Sequence, residues 1–212
     1  RIVVHPFLDG RDTPPRSTLE YIARLKQELA AVGNAVIGTA MGRYYGMDRV
    51  KNWTLTSEAY NCIVSCEGRR TPTIEACVKD EYATGKTPDG TPMTDEYIPC
   101  YVVGDYAGVK DGDVVNLGIG LPTLIPRQDR AIQLTQAFVC DDYPGVRRAR
   151  PKVTFLGFTR YWDEFEDYLL GAMGAGGGMA NLLGEVVSKA GIRQLRLAET
   201  QKFRHVTSFF NG

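Results

Sequence analysis

The sequence predicts an α/β fold, a three-layer αβα arrangement in which helices cover both faces of a mostly parallel sheet. Short apolar runs typical of buried strands recur along the chain, and amphipathic stretches of helical length separate them. The length of 212 residues suits one large domain, or one domain with a fragment of another. Together these observations predict one α/β domain that carries a smaller additional segment.

The first half of the chain alternates between the two kinds of element. Residues 2–8 form an apolar run that predicts a buried strand. A helix is expected over residues 17–32, because Ser17 and Glu20 fit a capping box and an apolar stripe follows at helical spacing. The same patterns predict the next elements, which are a strand over 35–41 and helices over 50–66 and 71–84.

The second half begins with a polar segment, residues 85–96, whose Thr, Pro and Gly content indicates an exposed loop. Extended pieces and one helix follow, namely strands over 98–103, 114–119 and 153–158 and a helix over 127–139. Residues 171–178 are glycine-rich and predict a flexible junction. We expect this junction to separate a domain over residues 1–170 from a segment over residues 171–212. That segment, with a helix over 181–190 and short strands over 195–198 and 206–210, is too small for a core of its own. It is expected to belong with a second domain that this chain lacks.

Charge and composition exclude several classes of protein. The chain has 25 basic and 25 acidic residues, so no net charge attracts it to nucleic acid or to a membrane. No apolar run reaches the length of a transmembrane helix, and we expect a cytoplasmic protein. Five scattered cysteines and two histidines complete no zinc pattern, which predicts reduced thiols and no metal bound by this chain alone. Arg1 lies directly at a strand and is not a methionine, which suggests that upstream sequence is absent.

Arginine recurs beside aspartate in loops that follow predicted strands. Arg11 and Asp12 stand in the turn after the first strand, and a second loop carries Arg43 and Arg49. Three further basic residues lie at the start of a later helix and between the last two strands: Arg127, Arg130 and Lys202. Because such loops collect at one edge of a doubly wound sheet, these cations are expected to line a single cleft. The cleft suits a small, doubly anionic phosphorylated ligand, and Asp12 is placed to move a proton. The alternative for the first turn is a solvated loop whose aspartate caps the next helix.

Five separated motifs resemble one family. FLDGRDTPP, GRYYGMDR, RQDRAIQL, LGEVVSKAGIRQLRLAETQK and HVTSFFNG together are similar to cofactor-independent phosphoglycerate mutase. The resemblance runs from the first residue to the last, in the family's order. It covers the family's phosphotransferase (substrate-binding) domain and the return linker toward its phosphatase domain.

The resemblance implies a role for each candidate residue. Arg11 would bind the anion of the substrate, and Asp12 would bind the glycerate hydroxyl and carry its proton as the catalytic residue. Arg43 and Arg49 would hold the substrate. The remaining three basic residues would face the phosphoryl group, and these are Arg127, Arg130 and Lys202.

The resemblance also implies a reaction and the parts of it that lie elsewhere. The family interconverts 3-phosphoglycerate and 2-phosphoglycerate in glycolysis and gluconeogenesis, through a phosphoserine on its phosphatase domain. Two divalent metal ions, commonly manganese, activate that serine. This chain contains neither the serine nor the metal ligands, so by itself it is expected to be inactive and without a cofactor. The phosphoglycerate and the missing phosphatase domain are its expected partners, and the protein is expected to be a monomer.

Two stretches depart from the family pattern. Residues 111–123 and 171–179 are similar to glycine-rich segments of the β subunit of 3-oxoacid CoA-transferases, and Pro126 stands where the family has phenylalanine. A CoA-transferase-related protein is therefore one alternative, although the S-E-N-G stretch that carries the glutamate of that family is absent. The other alternative is a chimeric or designed α/β scaffold that has lost the site.

Overall fold

The structure is a computed structural model that describes residues 1–48, 50–117, 132–156 and 183–191. The chain divides into two compact units. One unit comprises Arg1–Val115 and Arg130–Phe155, and the other comprises Asn116–Asp129 and Leu156–Gly212. The predicted junction at residues 171–178 lies outside the described residues, as do the strands expected over 195–198 and 206–210.

The described elements alternate much as the sequence predicts. The strands are β1 (Ile2–Val4), β2 (Phe7–Leu8), β3 (Ala35–Ile37), β4 (Thr39–Gly42), β5 (Arg69–Thr71), β6 (Tyr101–Val103), β7 (Val114–Asn116) and β8 (Thr154–Leu156). The helices are α1 (Thr18–Val32), α2 (Arg43–Gly46), α3 (Trp53–Ser65), α4 (Ile74–Thr84), α5 (Ile132–Val139) and α6 (Leu183–Lys189). A 3-10 helix, Asp95–Tyr97, lies between α4 and β6. Part of the predicted polar loop is therefore helical.

The first two predicted strands are each divided into two short pieces. Proline at position 6 has no backbone N–H and separates β1 from β2. Pairing nevertheless continues past both interruptions, since Gly38 N–H donates to the carbonyl of Val4 at 2.9 Å and Val103 N–H donates to that of Gly38 at 2.9 Å. A side chain at Gly38 would collide with Val3, so glycine is required by the close approach of the two strands.

The central sheet of the described part has the strand order β2–β4–β6–β5. Strands β2 and β4 are parallel, as are β5 and β6, and β1 pairs in parallel with β3. Strand β6, however, runs antiparallel to β4, with Ala40 opposite Tyr101. The segment that precedes β6 therefore lies at the same edge as the carboxyl ends of β2 and β4.

Helices pack on the sheet through two sets of buried residues. One core joins α1 and α4 to the sheet, with Ile22 and Val78 against Ala40 and Tyr101. A second set lies between α3 and α5, where the rings of Tyr60 and Phe138 meet edge to face with centroids 4.9 Å apart. Helix α3 also contacts β4 and β6. The predicted α/β class is confirmed.

The starts of two helices differ from the prediction, one in its boundary and the other in its cap. The predicted helix over 71–84 begins only at Ile74, because residues 69–71 pair with β6 as a strand. Helix α1 begins as expected, but no capping box forms: the Ser17 hydroxyl donates to the carbonyl of Pro14 and makes no cap. Asp95 takes that role from another part of the chain. The five cysteines are free thiols, as the sequence predicts.

Candidate functional site

The turn after β2 is organised by one carboxylate. Oδ1 of Asp9 accepts hydrogen bonds from the backbone N–H groups of Arg11 at 3.0 Å and Asp12 at 2.8 Å. Gly10 has a φ of 64°, which favours glycine, and its N–H donates to the hydroxyl of Thr13 at 3.1 Å. These bonds hold residues 9–13 in one conformation and place Arg11 and Asp12 side by side.

Arg43 joins this turn to the neighbouring strand end. It is the first residue of α2, directly after β4, and only 4% of its side chain is exposed. Its Nη1 donates to Oδ1 of Asp9 at 2.7 Å and to Oδ2 of Asp12 at 2.8 Å. Because β2 and β4 are parallel, both loops emerge at the same edge of the sheet. The structure thus brings together three of the predicted site residues, Arg11, Asp12 and Arg43.

The aspartate does not have the alternative role that the sequence leaves open. The first N–H groups of α1 are those of Ser17 and Thr18, and both donate to Oδ2 of Asp95, at 2.9 and 3.0 Å. The carboxylate of Asp12 accepts from Arg43 instead. Asp12 is therefore part of an ion-pair cluster at the strand ends and does not cap the next helix.

Arg11 is the more accessible of the two arginines. Its side chain is 45% exposed, and its Nη1 lies 3.9 Å from Oε1 of Glu96. Glu96 belongs to the 3-10 helix and is 18% exposed. A pair at this distance near the surface is weak.

Two glycines let the 3-10 helix approach both loops. A Cβ at Gly10 would lie 2.8 Å from Cβ of Asp95, and a Cβ at Gly42 would lie 2.1 Å from the carbonyl oxygen of Glu96. Gly42 N–H also donates to the carbonyl of Ile98 at 2.8 Å. The backbone of residues 95–98 is thus the common support of the two loops that carry the candidate site.

The carboxylates and the arginine stabilise each other's charged forms. Burial alone raises the pKa of the Asp9 carboxyl, but hydrogen bonds from Asp12 N–H, from the Arg43 guanidinium and from Arg11 N–H outweigh burial and hold that pKa below its ordinary value. Burial alone lowers the pKa of Arg43, and its bonds to Asp12 and Asp9 more than reverse this effect. Asp9 and Arg43 are therefore ionised at neutral pH.

Four predicted site residues lie outside the described residues: Arg49, Arg127, Arg130 and Lys202. Next to the first of them, Asp48 is buried, and its carboxylate accepts a hydrogen bond at 2.8 Å from the backbone N–H of Asn52, the residue before α3. The roles of the four basic residues stay predictions. So does the effect of the altered stretch over residues 116–126, most of which lies outside the described part.

A cavity of about 460 Å³ opens beside the site and not within it. Tyr45 of α2 and Tyr97 of the 3-10 helix line it, but Arg11, Asp12 and Arg43 do not. Its charged lining contains both signs, from Arg69, Lys86, Asp80 and Glu81. Balanced charge gives this cavity no preference for an anion.

The described residues contain neither a cluster of metal ligands nor a membrane-spanning helix. No group of three or more His, Cys, Asp or Glu side chains in those ranges is arranged to hold a metal ion, so the residues at hand do not fit one. Among the helices that the structure describes, none is long and apolar enough to cross a membrane.

Comparison with known proteins identifies the family. Residues 1–163 match the family model described as the BPG-independent PGAM N-terminus. The chain belongs to the BPG-independent phosphoglycerate mutase family. Residues 1–163 correspond to the amino-terminal region of the family.

Curated relatives in the mutase family extend the match to the whole chain. The 2,3-bisphosphoglycerate-independent phosphoglycerate mutase of Rhodopseudomonas palustris is 39% identical over 214 residues, which cover 100% of this chain and 39% of the relative. Phosphoglycerate mutase 1 of Methanosarcina acetivorans is 40% identical over 219 residues, with the same coverage. The chain therefore spans about two fifths of the length of these relatives. Both alignments include the two glycine-rich stretches, so these relatives give no support to the CoA-transferase alternative.

A solved structure agrees with the mutase assignment. A crystal structure of Leishmania mexicana phosphoglycerate mutase at low cobalt concentration matches the chain with a TM-score of 0.75 and 27% sequence identity. The match covers 100% of this chain and 39% of that one. The α/β fold and the family are thus shown by independent comparisons, of sequence and of structure.

Proposed function

We propose that this chain is the substrate-binding part of a phosphoglycerate mutase that interconverts 3-phosphoglycerate and 2-phosphoglycerate. The observation that carries the proposal is the cluster of Arg11, Asp12 and Arg43 at the carboxyl ends of β2 and β4. This is the edge at which open α/β sheets bind ligands. Family membership supplies the reaction, and the cluster supplies groups that suit it.

Each residue of the cluster has a distinct proposed task. The half-exposed guanidinium of Arg11 presents a planar set of donors to a phosphate or carboxylate group of the ligand. The carboxylate of Asp12 accepts a hydrogen bond from a glycerate hydroxyl and carries its proton. Arg43 fixes the orientation of Asp12 before any ligand arrives, because its Nη1 donates to the carboxylates of both Asp9 and Asp12.

The charge of the cluster implies that further cations are needed. The positive charge of Arg43 is offset by Asp9 and Asp12, so the described loops alone do not attract a doubly charged phosphate strongly. We assign the missing positive charge to the predicted basic residues outside the described part: Arg49, Arg127, Arg130 and Lys202.

The rest of the reaction is assigned to the part of the relatives that lies outside the aligned region. There we place the serine that takes the phosphoryl group, together with two divalent ions, manganese by resemblance. Those ions would activate the serine, and none of the roles proposed for the residues of this chain depends on binding them. The protein is proposed to work in the cytoplasm as a monomer.

Calorimetry tests the proposal directly. The whole chain is titrated with 3-phosphoglycerate at low ionic strength, with unphosphorylated glycerate as the control ligand. We expect saturable binding of 3-phosphoglycerate, lost on addition of salt, because the contacts are electrostatic.

Matched arginine variants locate the binding. Arg11→Ala is expected to weaken binding about tenfold or more, in keeping with loss of a charge-assisted contact. Arg24→Ala, on an exposed position of α1, is the control and should leave the affinity unchanged. No binding by the unaltered chain, or equal binding by the Arg43→Ala, Arg130→Ala double variant, would contradict the proposal and favour the scaffold alternative.

A further inference from the structure

The turn residue Asp9 lies at the centre of the described contacts of the site. Three donors converge on its Oδ1: the backbone N–H groups of Arg11 and Asp12 and the Nη1 of Arg43. The distances are 3.0, 2.8 and 2.7 Å respectively. One oxygen atom therefore fixes the backbone conformation of Arg11 and Asp12 and the position of the Arg43 guanidinium.

The position of Asp9 argues against a direct contact with the ligand. Its side chain is 28% exposed, whereas that of Asp12 is 48% exposed and that of Arg11 is 45% exposed. A carboxylate placed beside an anion-binding group also repels the anion. Its presence at this point is costly for anion binding unless it orders the groups that do bind.

We infer that Asp9 is a positioning residue of the site, which acts through Arg43 and through the backbone of Arg11 and Asp12. It holds the Arg43 guanidinium so that the remaining donor of Nη1 is directed at Asp12. It also fixes the two N–H groups that decide where the Arg11 and Asp12 side chains leave the turn. The expected effect of Asp9 on ligand binding rests on the proposed function, whereas its effect on the order of the turn and of Arg43 does not.

The direction in which Asp9→Ala changes the affinity for 3-phosphoglycerate distinguishes a positioning role from a purely electrostatic one. If Asp9 acted only through its charge, Asp9→Ala would remove a repulsive carboxylate and 3-phosphoglycerate would bind more tightly. If it positions the site, the same variant weakens binding by about tenfold or more, because the loop and Arg43 lose their common acceptor. Asp9→Asn keeps an oxygen that accepts the two backbone bonds, so it should retain affinity within about threefold.

A measurement without ligand keeps the inference independent of the proposed function. In the unaltered chain, NMR of the arginine side chains should show restricted rotation of the Arg43 guanidinium, and the Asp12 amide should exchange slowly with solvent. Asp9→Ala should free the guanidinium and speed exchange of the Asp12 amide about tenfold or more. Asp9→Asn keeps the acceptor oxygen but loses the charge, so it should free the guanidinium less than Asp9→Ala does, while the amide stays protected. Asp105→Asn removes the charge of an aspartate that is 89% exposed and serves as the control.

Each outcome tests either the proposed function or the positioning role of Asp9. If the unaltered chain does not bind 3-phosphoglycerate, the proposed function fails, and the NMR comparison alone decides the role of Asp9. Unchanged guanidinium rotation and amide exchange in both Asp9 variants would overturn the inference. Tighter binding by Asp9→Ala with an intact fold would overturn it as well. Should Asp9→Ala fail to fold, Asp9→Asn is decisive through the mobility of Arg43.

Discussion

Replacing Asp95 by alanine is expected to destabilise the chain more than any other single change in the polar segment over 85–96. The side chain is 1% exposed. Its Oδ2 accepts the N–H groups of Ser17 and Thr18, and its Oδ1 accepts the hydroxyl of Tyr82. Alanine leaves all three donors without their acceptor, one in a buried place and two in part-buried ones.

The magnitude follows from the contacts that are lost. Loss of an N-cap costs about 1 kcal/mol, and each further buried donor left unpaired costs about 1–3 kcal/mol. Losing the cap of Ser17 and Thr18 and leaving the Tyr82 hydroxyl unpaired should together lower the free energy of unfolding of Asp95→Ala by about 2–4 kcal/mol. Asparagine keeps an acceptor for the helix, and its amide can donate to the Tyr82 oxygen, so Asp95→Asn should cost only about 1–2 kcal/mol.

Urea denaturation, followed by circular dichroism, measures both variants. The exposed Asp105→Ala is the control and is expected to stay within about 0.5 kcal/mol of the unaltered chain. The variants should also bind 3-phosphoglycerate less well, since the backbone of Asp95 and Glu96 supports Gly10 and Gly42. A loss below about 1 kcal/mol for Asp95→Ala, with an unchanged denaturant slope, would refute the capping argument.

Three further predictions follow from the same geometry. Gly42→Ala should cost about 3 kcal/mol or more, because its Cβ would overlap the Glu96 carbonyl, whereas Gly33→Ala, at a φ of 78° in open space, should cost only about 1 kcal/mol; equal losses in urea denaturation would contradict the contact argument. Burial lowers the pKa of His5 to about 4 in the folded chain. Between pH 6.5 and 4 the unfolded chain therefore binds a proton at His5 that the folded chain does not, and the free energy of unfolding decreases as the pH is lowered. Comparing His5→Asn with the unaltered chain from pH 7.5 to 4.5 should reveal about 2 kcal/mol of this loss, and identical pH profiles would refute it. In an enzyme completed to the length of its relatives, Asp12→Asn should abolish turnover and leave the affinity for 3-phosphoglycerate largely intact; equal loss of both in steady-state kinetics and calorimetry would refute the proton-carrier role.

Elements with a strong periodic pattern are the ones that the sequence predicts well. Helix α1 extends over Thr18–Val32 against a prediction of 17–32, and Gly33 ends it in a left-handed conformation. The short strand β5 was not predicted, because Arg69 and Arg70 carry no apolar signal, and its last residue, Thr71, was assigned to the predicted helix over 71–84. Strand pairing of this kind depends on residues about 30 positions away and leaves no local pattern.

The candidate site divides in the same way. The meeting of Arg11 and Asp12 with Arg43 is predictable, since two parallel strands end at one edge and each loop carries its charge in the motif. The supporting residues Asp95 and Glu96 were missed. They lie in a segment whose composition indicates only an exposed loop, and no spacing relates them to Gly10 and Arg11 of the turn, about 85 residues earlier.

By itself the sequence determined the α/β class, the strand-end loops that carry Arg11, Asp12 and Arg43, and the mutase family. These depend on hydrophobic periodicity, turn residues and motifs, all of which are properties of neighbouring residues. Only the tertiary structure decided that β6 runs antiparallel to β4 and brings residues 95–97 to the site. It also decided that Arg43 is buried between two carboxylates. The physical reason is that strand direction and the pairing of buried charges are chosen by contacts between distant residues, which local patterns do not encode.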